Sequence, residues 1–273
     1  MAEYYTQLMA DLEKMRARRP LILNLTNFVV SNSTANALLA LGASPAMSYH
    51  DADMRDLTPA AGAVVVNIGT PVREFWESMF VAGHIAREHG IPVVLDPVAA
   101  GAVHKRTEMC RRFLQACRPQ VVRGNASEIK ALGSGEADMG TGTAKGADAM
   151  CAVEDALHSA RQLARRQQCV VSVSGAVDCI TDGSVMIAVG GGHSMMTLVT
   201  GLGCTASALT GAFLSVAESP LTAAVEAMMV MSTAGGIAAA KASGPGTLQL
   251  HFYDALYNLT EADLRAQVEV MQC

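Results

Sequence analysis

The chain has 273 residues, 51% hydrophobic and 16% charged; that is enough apolar material for one large α/β domain or two small ones, and it excludes a disordered chain. A net charge of −5 argues against a nucleic-acid surface. Aromatic residues make up only 4%, so the core has to be built from Ala, Val, Leu and Met, which favours helices packed closely on a sheet. The seven cysteines follow no C-x-x-C or regular spacing and offer no zinc or disulfide framework. With no signal peptide in the sequence, they point to a reducing cytosol.

Tyr4 to Arg18 has helical periodicity and stops at Pro20. Leu21 to Leu23 is a short apolar strand running into Asn24 to Asn27, and a helix from Ser33 to Leu41 follows, ended by Gly42. Ser44 to Met47 reads as short and extended. Asn27 is placed where α/β sheets put ligands, although a turn or helix cap explains it equally well.

Ala63 to Asn67 is a β-branched run expected to be buried on both faces of a sheet. Gly69 and Thr70 follow it, and Pro71 opens a helix that runs to His89. Pro92 to Leu95 is the next strand and delivers Asp96, a carboxylate for a metal-bound water or an ordinary loop cap. A helix from Lys105 to Cys117 leads to a strand over Gln120 to Arg123, whose terminal arginine is placed to face a phosphate. Asn125 and Glu128 then have capping-box spacing, which by itself accounts for both residues.

Gly133 to Gly146 is rich in Gly, Ser and Thr and is expected to be a surface loop. A helix from Ala147 to Arg166 and a strand from Cys169 to Val173 lead to Ser174-Gly175. Val177 to Thr181 and Val185 to Val189 flank Asp182-Gly183, a hairpin signal.

Gly201 and Gly203 open an apolar run that reads as a buried helix. The unpaired N–H groups at such a start, with the positive dipole end, suit a phosphate, although a tight turn into a core helix needs no ligand. Cys204 at that helix start is either a thiol of lowered pKa or a small apolar filler. Leu221 to Lys241 is long and apolar but is interrupted by Glu226, so it reads as a buried helix and not a membrane span. Leu248 to Leu259 and Glu261 to Gln272 close the chain as helices. The alternation of strands and helices predicts a mostly parallel central sheet flanked by helices on both faces, undivided by any linker.

Polar residues thus follow successive strands: Asn27, Thr70, Asp96, Arg123, Ser174, then Gly201 to Cys204. A carboxylate, an arginine and a helix N-terminus on one sheet edge suit phosphoryl transfer, which depends mainly on positioning and charge stabilisation. The motifs run in order as N-x-T-N from Asn24, T-A-N-x-L-L-A-L-G-A-S-P-A-M from Thr34, N-I-G-T from Asn67, L-D-P-V-A-x-G-A from Leu95, R-G-N-A-S-E-I from Arg123, T-D-G from Thr181 and V-T-G-x-G-C from Val199. In that order the chain resembles the hydroxyethylthiazole kinases of the ribokinase-like fold, from Leu21 to about Leu259.

The resemblance implies a single ribokinase-like kinase domain over residues 1–273. It implies ATP- and Mg2+-dependent phosphorylation of 4-methyl-5-(2-hydroxyethyl)thiazole in thiamine synthesis, and a cytoplasmic homotrimer with the thiazole near the subunit interface. Asn27, Met47, Gly69, Thr70 and Gly201 would surround the thiazole, Arg123 and Ser174 would contact ATP phosphates, and Asp96 and Glu128 would organise Mg2+ through water. Gly201 and Gly203 would form the anion hole beside Cys204, which stands where most ribokinase-like kinases have an aspartate base. Cys204 is then a thiolate base or only a shaper of the pocket. Leu202, where the family has a small threonine, is expected to add bulk beside the phosphate loop, and Ser174 replaces a threonine. The rival readings are a kinase of a pyrimidine or pyridine alcohol, a silent nucleotide binder, and a dinucleotide oxidoreductase, which the missing G-x-G-x-x-G after the first strand disfavours.

Overall fold

A computed structural model describes residues 2–133 and 148–273. The loop expected from Gly133 to Gly146 lies, apart from Gly133, outside the described residues. The strands are β1 (Leu21–Leu25), β2 (Ser44–Met47), β3 (Ala63–Asn67), β4 (Val93–Asp96), β5 (Val121–Asn125), β6 (Val170–Ser174), β7 (Val177–Thr181), β8 (Met186–Gly190) and β9 (Glu269–Gln272). They form one sheet in the order β2-β1-β3-β4-β5-β6-β7-β8-β9. From β2 to β6 neighbours are parallel; β7, β8 and β9 join antiparallel. The C-terminal ends of β1, β3, β4, β5 and β6 therefore share one edge, the usual place for a ligand in such a sheet.

Successive strand side chains point to opposite faces, and the two hydrophobic cores follow this alternation. Ile22, Val65, Val94 and Val121 pack with helices α8 (Leu202–Leu214), α9 (Pro220–Lys241) and α10 (Pro245–Asn258). Leu23, Val64, Val66, Leu95 and Val122 pack on the other face with α4 (Arg73–His89) and α5 (His104–Cys117). The sheet is covered on both sides, as the β-branched runs predict. Helix α8 lies very close to it: a Cβ on Gly211 would come 2.6 Å from Val65 Cγ2.

Beyond small shifts at element ends, two segments differ in kind from the sequence expectation. The helix expected over Glu261 to Gln272 ends at Gln267, and residues 269–272 form β9 on the exposed edge of β8. Their alternating burial, with Val270 inside, is a strand pattern too short to read without the partner edge. The unassigned stretch after His50 forms α3 (Asp51–Leu57), whose first turn is capped by His50 Nδ1 accepting from the Ala52 N–H at 3.3 Å. The expected hairpin at Asp182-Gly183 is present. Helix α9 is long and apolar enough to cross a membrane by composition, but 78% of its apolar window is buried inside the fold.

Candidate active site

Strand alternation decides which polar residues meet. Asn67 lies two residues after Val65, Asp96 two after Val94 and Arg123 two after Val121, so all three face α8. The register pairs Asn67 with Asp96, and Asn125 with Ser174. Arg123 is thus inside β5 and not at its end, 8% exposed. Its Nη1 donates to the Gly203 carbonyl at 2.8 Å and its Nη2 to Ser174 Oγ at 2.5 Å, while its Nε is buried without a partner. Ser174 Oγ donates in turn to the Gly124 carbonyl.

Asp96 is 2% exposed. Its Oδ2 accepts from Asn67 Nδ2 at 2.6 Å and from Ser207 Oγ at 2.8 Å. Burial pushes its carboxyl up to about 7, against the attraction of the Arg123 guanidinium and with the repulsion of Glu128. Ser207 lies one helical turn after Cys204 on α8, and that spacing was the available signal for it.

The helix start agrees with the expected glycine turn. Gly201 is the N-cap of α8 with φ +86°, and a Cβ there would lie 2.4 Å from Val30 Cγ1. Gly203 instead sits inside the first turn, where a Cβ would come 3.2 Å from Arg123 Nη1, so its missing side chain leaves room for the guanidinium. Leu202, expected beside the phosphate loop, is buried in the α8-side core.

Cys204 is half-buried, and Asn27 Nδ2 donates to its sulfur at 3.6 Å. Burial first, then the Asp96 carboxylate, pushes the thiol up to about 11, against the Asn67 and Asn27 amides and Arg123. Of the two readings of Cys204, these surroundings favour the neutral thiol over the thiolate, because loss of water outweighs the favourable polar contacts. Asn27 is a turn residue whose amide also bonds into this cluster. Its Oδ1 accepts from the Val29 N–H and its Nδ2 donates to Asn67 Oδ1 at 2.9 Å. Gly69 must be glycine by close approach, since a Cβ would lie 2.7 Å from Asn27 Nδ2.

Glu128 forms the expected capping box: its Oε2 accepts from the Asn125 N–H at 2.8 Å, and Asn125 Oδ1 accepts from the Glu128 N–H. Its Oε1 also accepts from Ala99 N–H, tying the turn after Asp96 to the start of α6 (Ala126–Gly133). Two candidates stand apart from this network. Met47 ends β2, in register with Asn24, and Thr70 is exposed with φ +42°. Among the described residues neither side chain hydrogen-bonds into the cluster.

A groove of about 710 Å3 lies elsewhere, along Tyr5, Gly190, Gly191 and Arg265 to Val270. Its arginine already stacks on Tyr5 and pairs with Glu261, so it presents no converging free charge. The chemistry is concentrated at the open edge instead, where a helix N-terminus, an arginine and a buried carboxylate converge.

The fold and this edge define a phosphotransferase of the ribokinase-like class. A pyridoxal kinase from Staphylococcus aureus, solved with AMP-PCP and pyridoxal, shares the fold at TM-score 0.63 and 16% identity, covering 93% of this chain and 99% of that one. The pattern of the hydroxyethylthiazole kinase family matches residues 12–262. A hydroxyethylthiazole kinase from Nitratidesulfovibrio vulgaris strain Miyazaki F is 48% identical over 260 residues, 95% of this chain and 96% of that protein. The structure of the hydroxyethylthiazole kinase protein from Pyrococcus horikoshii OT3 aligns at TM-score 0.88 with 39% identity, over 97% of this chain and 98% of that one. The chain belongs to the hydroxyethylthiazole kinase family.

Proposed function

We propose that this chain, as one kinase domain, transfers the γ-phosphoryl group of ATP to the hydroxyl of 4-methyl-5-(2-hydroxyethyl)thiazole, a step feeding thiamine synthesis. The observation that carries the reading is the junction at the α8 N-terminus. There Arg123 and Asp96 border the phosphate side, and Asn27, Gly69 and Cys204 border the acceptor side. Gly201 and Gly203 form the anion hole, with unpaired main-chain N–H groups and the positive helix end stabilising the transferring group. Arg123 and Ser174 hold ATP phosphates. Asn27, Met47, Gly69, Thr70 and Gly201 surround the thiazole.

Mg2+ fits the donor set. Both Glu128 oxygens already accept main-chain N–H groups, whereas both donors to Asp96 reach Oδ2 and neither reaches Oδ1; Asp96 and Glu128 would hold the ion, with water filling most of its shell, as suits a cation that keeps several waters. When bound it neutralises charge on the transferring phosphates. ADP release with MgATP tests the whole reading, with hydroxyethylthiazole run beside hydroxymethylpyrimidine and pyridoxal. Thiazole-dependent turnover lost with EDTA supports it. Turnover only with another alcohol moves the substrate, and none with any would leave a silent nucleotide binder.

Cys204 shapes the pocket in this reading, because a neutral thiol with its proton held to about pH 11 is a poor base and a loose transition state needs little base. Cys204→Ser is expected to keep kcat within about tenfold of wild type, with the same pH profile between 7 and 10. A rate that climbs toward pH 10 in wild type and is flat in the variant would make the thiolate the base.

A cytoplasmic homotrimer completes the proposal. Cytoplasmic residence is supported by the free cysteines, six among the described residues. Assembly is supported by an apolar surface beside the acceptor side: Phe28, Val29, Tyr49 and Val72 are each 46–60% exposed, and the Phe28 ring lies 5.2 Å from Phe75 and 5.6 Å from Tyr49. Light scattering is expected to give three copies, and Phe28→Ser with Val29→Ser to shift the mass toward one. An unchanged trimer in that variant would put the interface elsewhere.

A further inference from the structure

The buried amide of Asn67 links the two halves of the site. It is 1% exposed at the end of β3, and the direction of its hydrogen bonds is fixed by main-chain groups that have no choice of role. The Gly69 N–H can only donate, so the Asn67 atom 3.0 Å from it is Oδ1. The Nδ2 therefore faces Asp96 Oδ2, at 2.6 Å. The Val29 N–H likewise fixes Asn27 Oδ1, at 3.1 Å. Asn27 must then present Nδ2 to Asn67 Oδ1 and to Cys204 Sγ. Neither amide can flip without setting an N–H against an N–H. The donations diverge from Asn27 Nδ2, one way through Asn67 to Asp96 and the other to Cys204, so one connected network spans the ends of β4, β3 and β1 and the start of α8.

We propose that Asn67 is a positioning residue for phosphoryl transfer, holding the Asn27 amide and Cys204 of the acceptor pocket in fixed register with the Asp96 carboxylate of the phosphate side. It touches no substrate; its Oδ1 holds Asn27 and the Gly69 N–H, its Nδ2 holds Asp96, and its amide also reaches the Cys204 thiol, and this gives it a signature that loss of packing does not share. Ser207 supports the Asp96 end alone. The inference rests on the kinase reading above for its kinetic test, and a misplacement of about 1 Å in such a site is worth about 10²-fold in rate.

Four variants separate the two ends. Asn67→Asp keeps the acceptor for Asn27 and Gly69 but sets a second carboxyl against Asp96 Oδ2, where the pair must share one proton or repel. It is expected to lower kcat about tenfold or more while leaving KM for the thiazole alcohol within about threefold. Ser207→Ala is expected to show the same split more weakly. Asn67→Ala, which cuts both ends, is expected to lower kcat and also raise KM for the alcohol about tenfold. Asn27→Ala is expected to add little in that background, because neighbours in one network are not additive.

Additive effects of Asn27→Ala and Asn67→Ala, or an Asn67→Asp enzyme with wild-type kcat, would overturn the inference while leaving the kinase reading intact. If the wild-type protein turned over none of the alcohols, the kinase reading would fail separately. Side-chain amide NMR on the protein alone then decides the structural half. The Asn27 NH2 signals are expected to lose their protection from exchange in Asn67→Ala and keep it in Asn67→Asp, where an acceptor remains, and Asn27 signals unmoved by Asn67→Ala would overturn it. The same spectra show whether each variant is folded.

Discussion

Gly201→Ala is expected to lower kcat/KM by about 10²-fold or more while the protein still folds. Gly201 holds φ +86° as the N-cap of α8, a left-handed conformation that costs an L-residue about 1–2 kcal/mol. The added Cβ would also lie 2.4 Å from Val30 Cγ1. Val30 belongs to the turn built on Asn27, since its N–H donates to the Asn27 carbonyl at 3.3 Å. Relief of the clash therefore moves either the helix start proposed to face the transferring phosphate or the turn that orients Asn27, and about 1 Å at either place accounts for the loss. Gly203→Ala provides the contrast. Gly203 is helical, and its Cβ would press only on the Arg123 guanidinium at 3.2 Å, so a smaller loss is expected, seen mainly in KM for ATP. Steady-state kinetics beside a thermal melt check both variants. Gly201→Ala activity within about threefold of wild type would remove Gly201 from the proposed anion hole.

The second large effect concerns stability. Glu226 lies on α9 with 0% exposure; no N–H or hydroxyl donor reaches its carboxyl oxygens, and the buried Asp11 carboxyl lies beside it. Burial first, then the nearby Asp11 carboxyl, pushes it up to about 9, with Lys14 opposing and Glu218 adding. Asp11 is itself fully buried and holds Lys14 Nζ at 2.7 Å and Gln7 Nε2 at 2.9 Å.

A carboxyl near 4.5 in the unfolded chain and near 9 in the folded one makes the folded state bind the extra proton between those values. Stability therefore falls as pH rises through that window, by up to about 1.4 kcal/mol per pH unit, and levels off above about 9. Glu226→Gln removes the titration and supplies permanent N–H donors. It is expected to raise the melting temperature at pH 8 by several degrees and by less at pH 6. Melts from pH 5 to 9 decide the point: parallel curves, or a variant less stable than wild type at pH 8.5, would show that Glu226 is ionised and satisfied in the fold.

Much of this site was visible in the residues themselves. The glycine before Leu202, the capping box at Asn125 and Glu128, and the carboxylate after the β4 run each carry a local signal. That signal survives in the structure because it depends on backbone conformation within a few residues. What escaped depends on a partner distant in sequence. The β9 strand exists because β8 offers an edge, and four residues with one buried valine carry no period of their own. Asn67 stood in the N-I-G-T motif, but its role required knowing that β3 and β4 are neighbours and in register at their last residues. The groove along Tyr5 and Arg265 joins the two ends of the chain, which no local pattern links.

The sequence by itself determined the class of fold, the strand ends that carry polar residues and the resemblance to one kinase family, because periodicity, caps and ordered motifs are properties of short stretches. The tertiary structure alone decided the state of the groups at those strand ends. Cys204 stands at a helix N-terminus, where local reasoning lowers a thiol's pKa, yet burial beside Asp96 raises it to about 11. Arg123 points at α8 because of its place in the strand alternation, and meets the Gly203 carbonyl because α8 packs on that face. Desolvation and the direction of a hydrogen bond are set by what surrounds a group in space, and that is settled only when the sheet and its helices have closed around it.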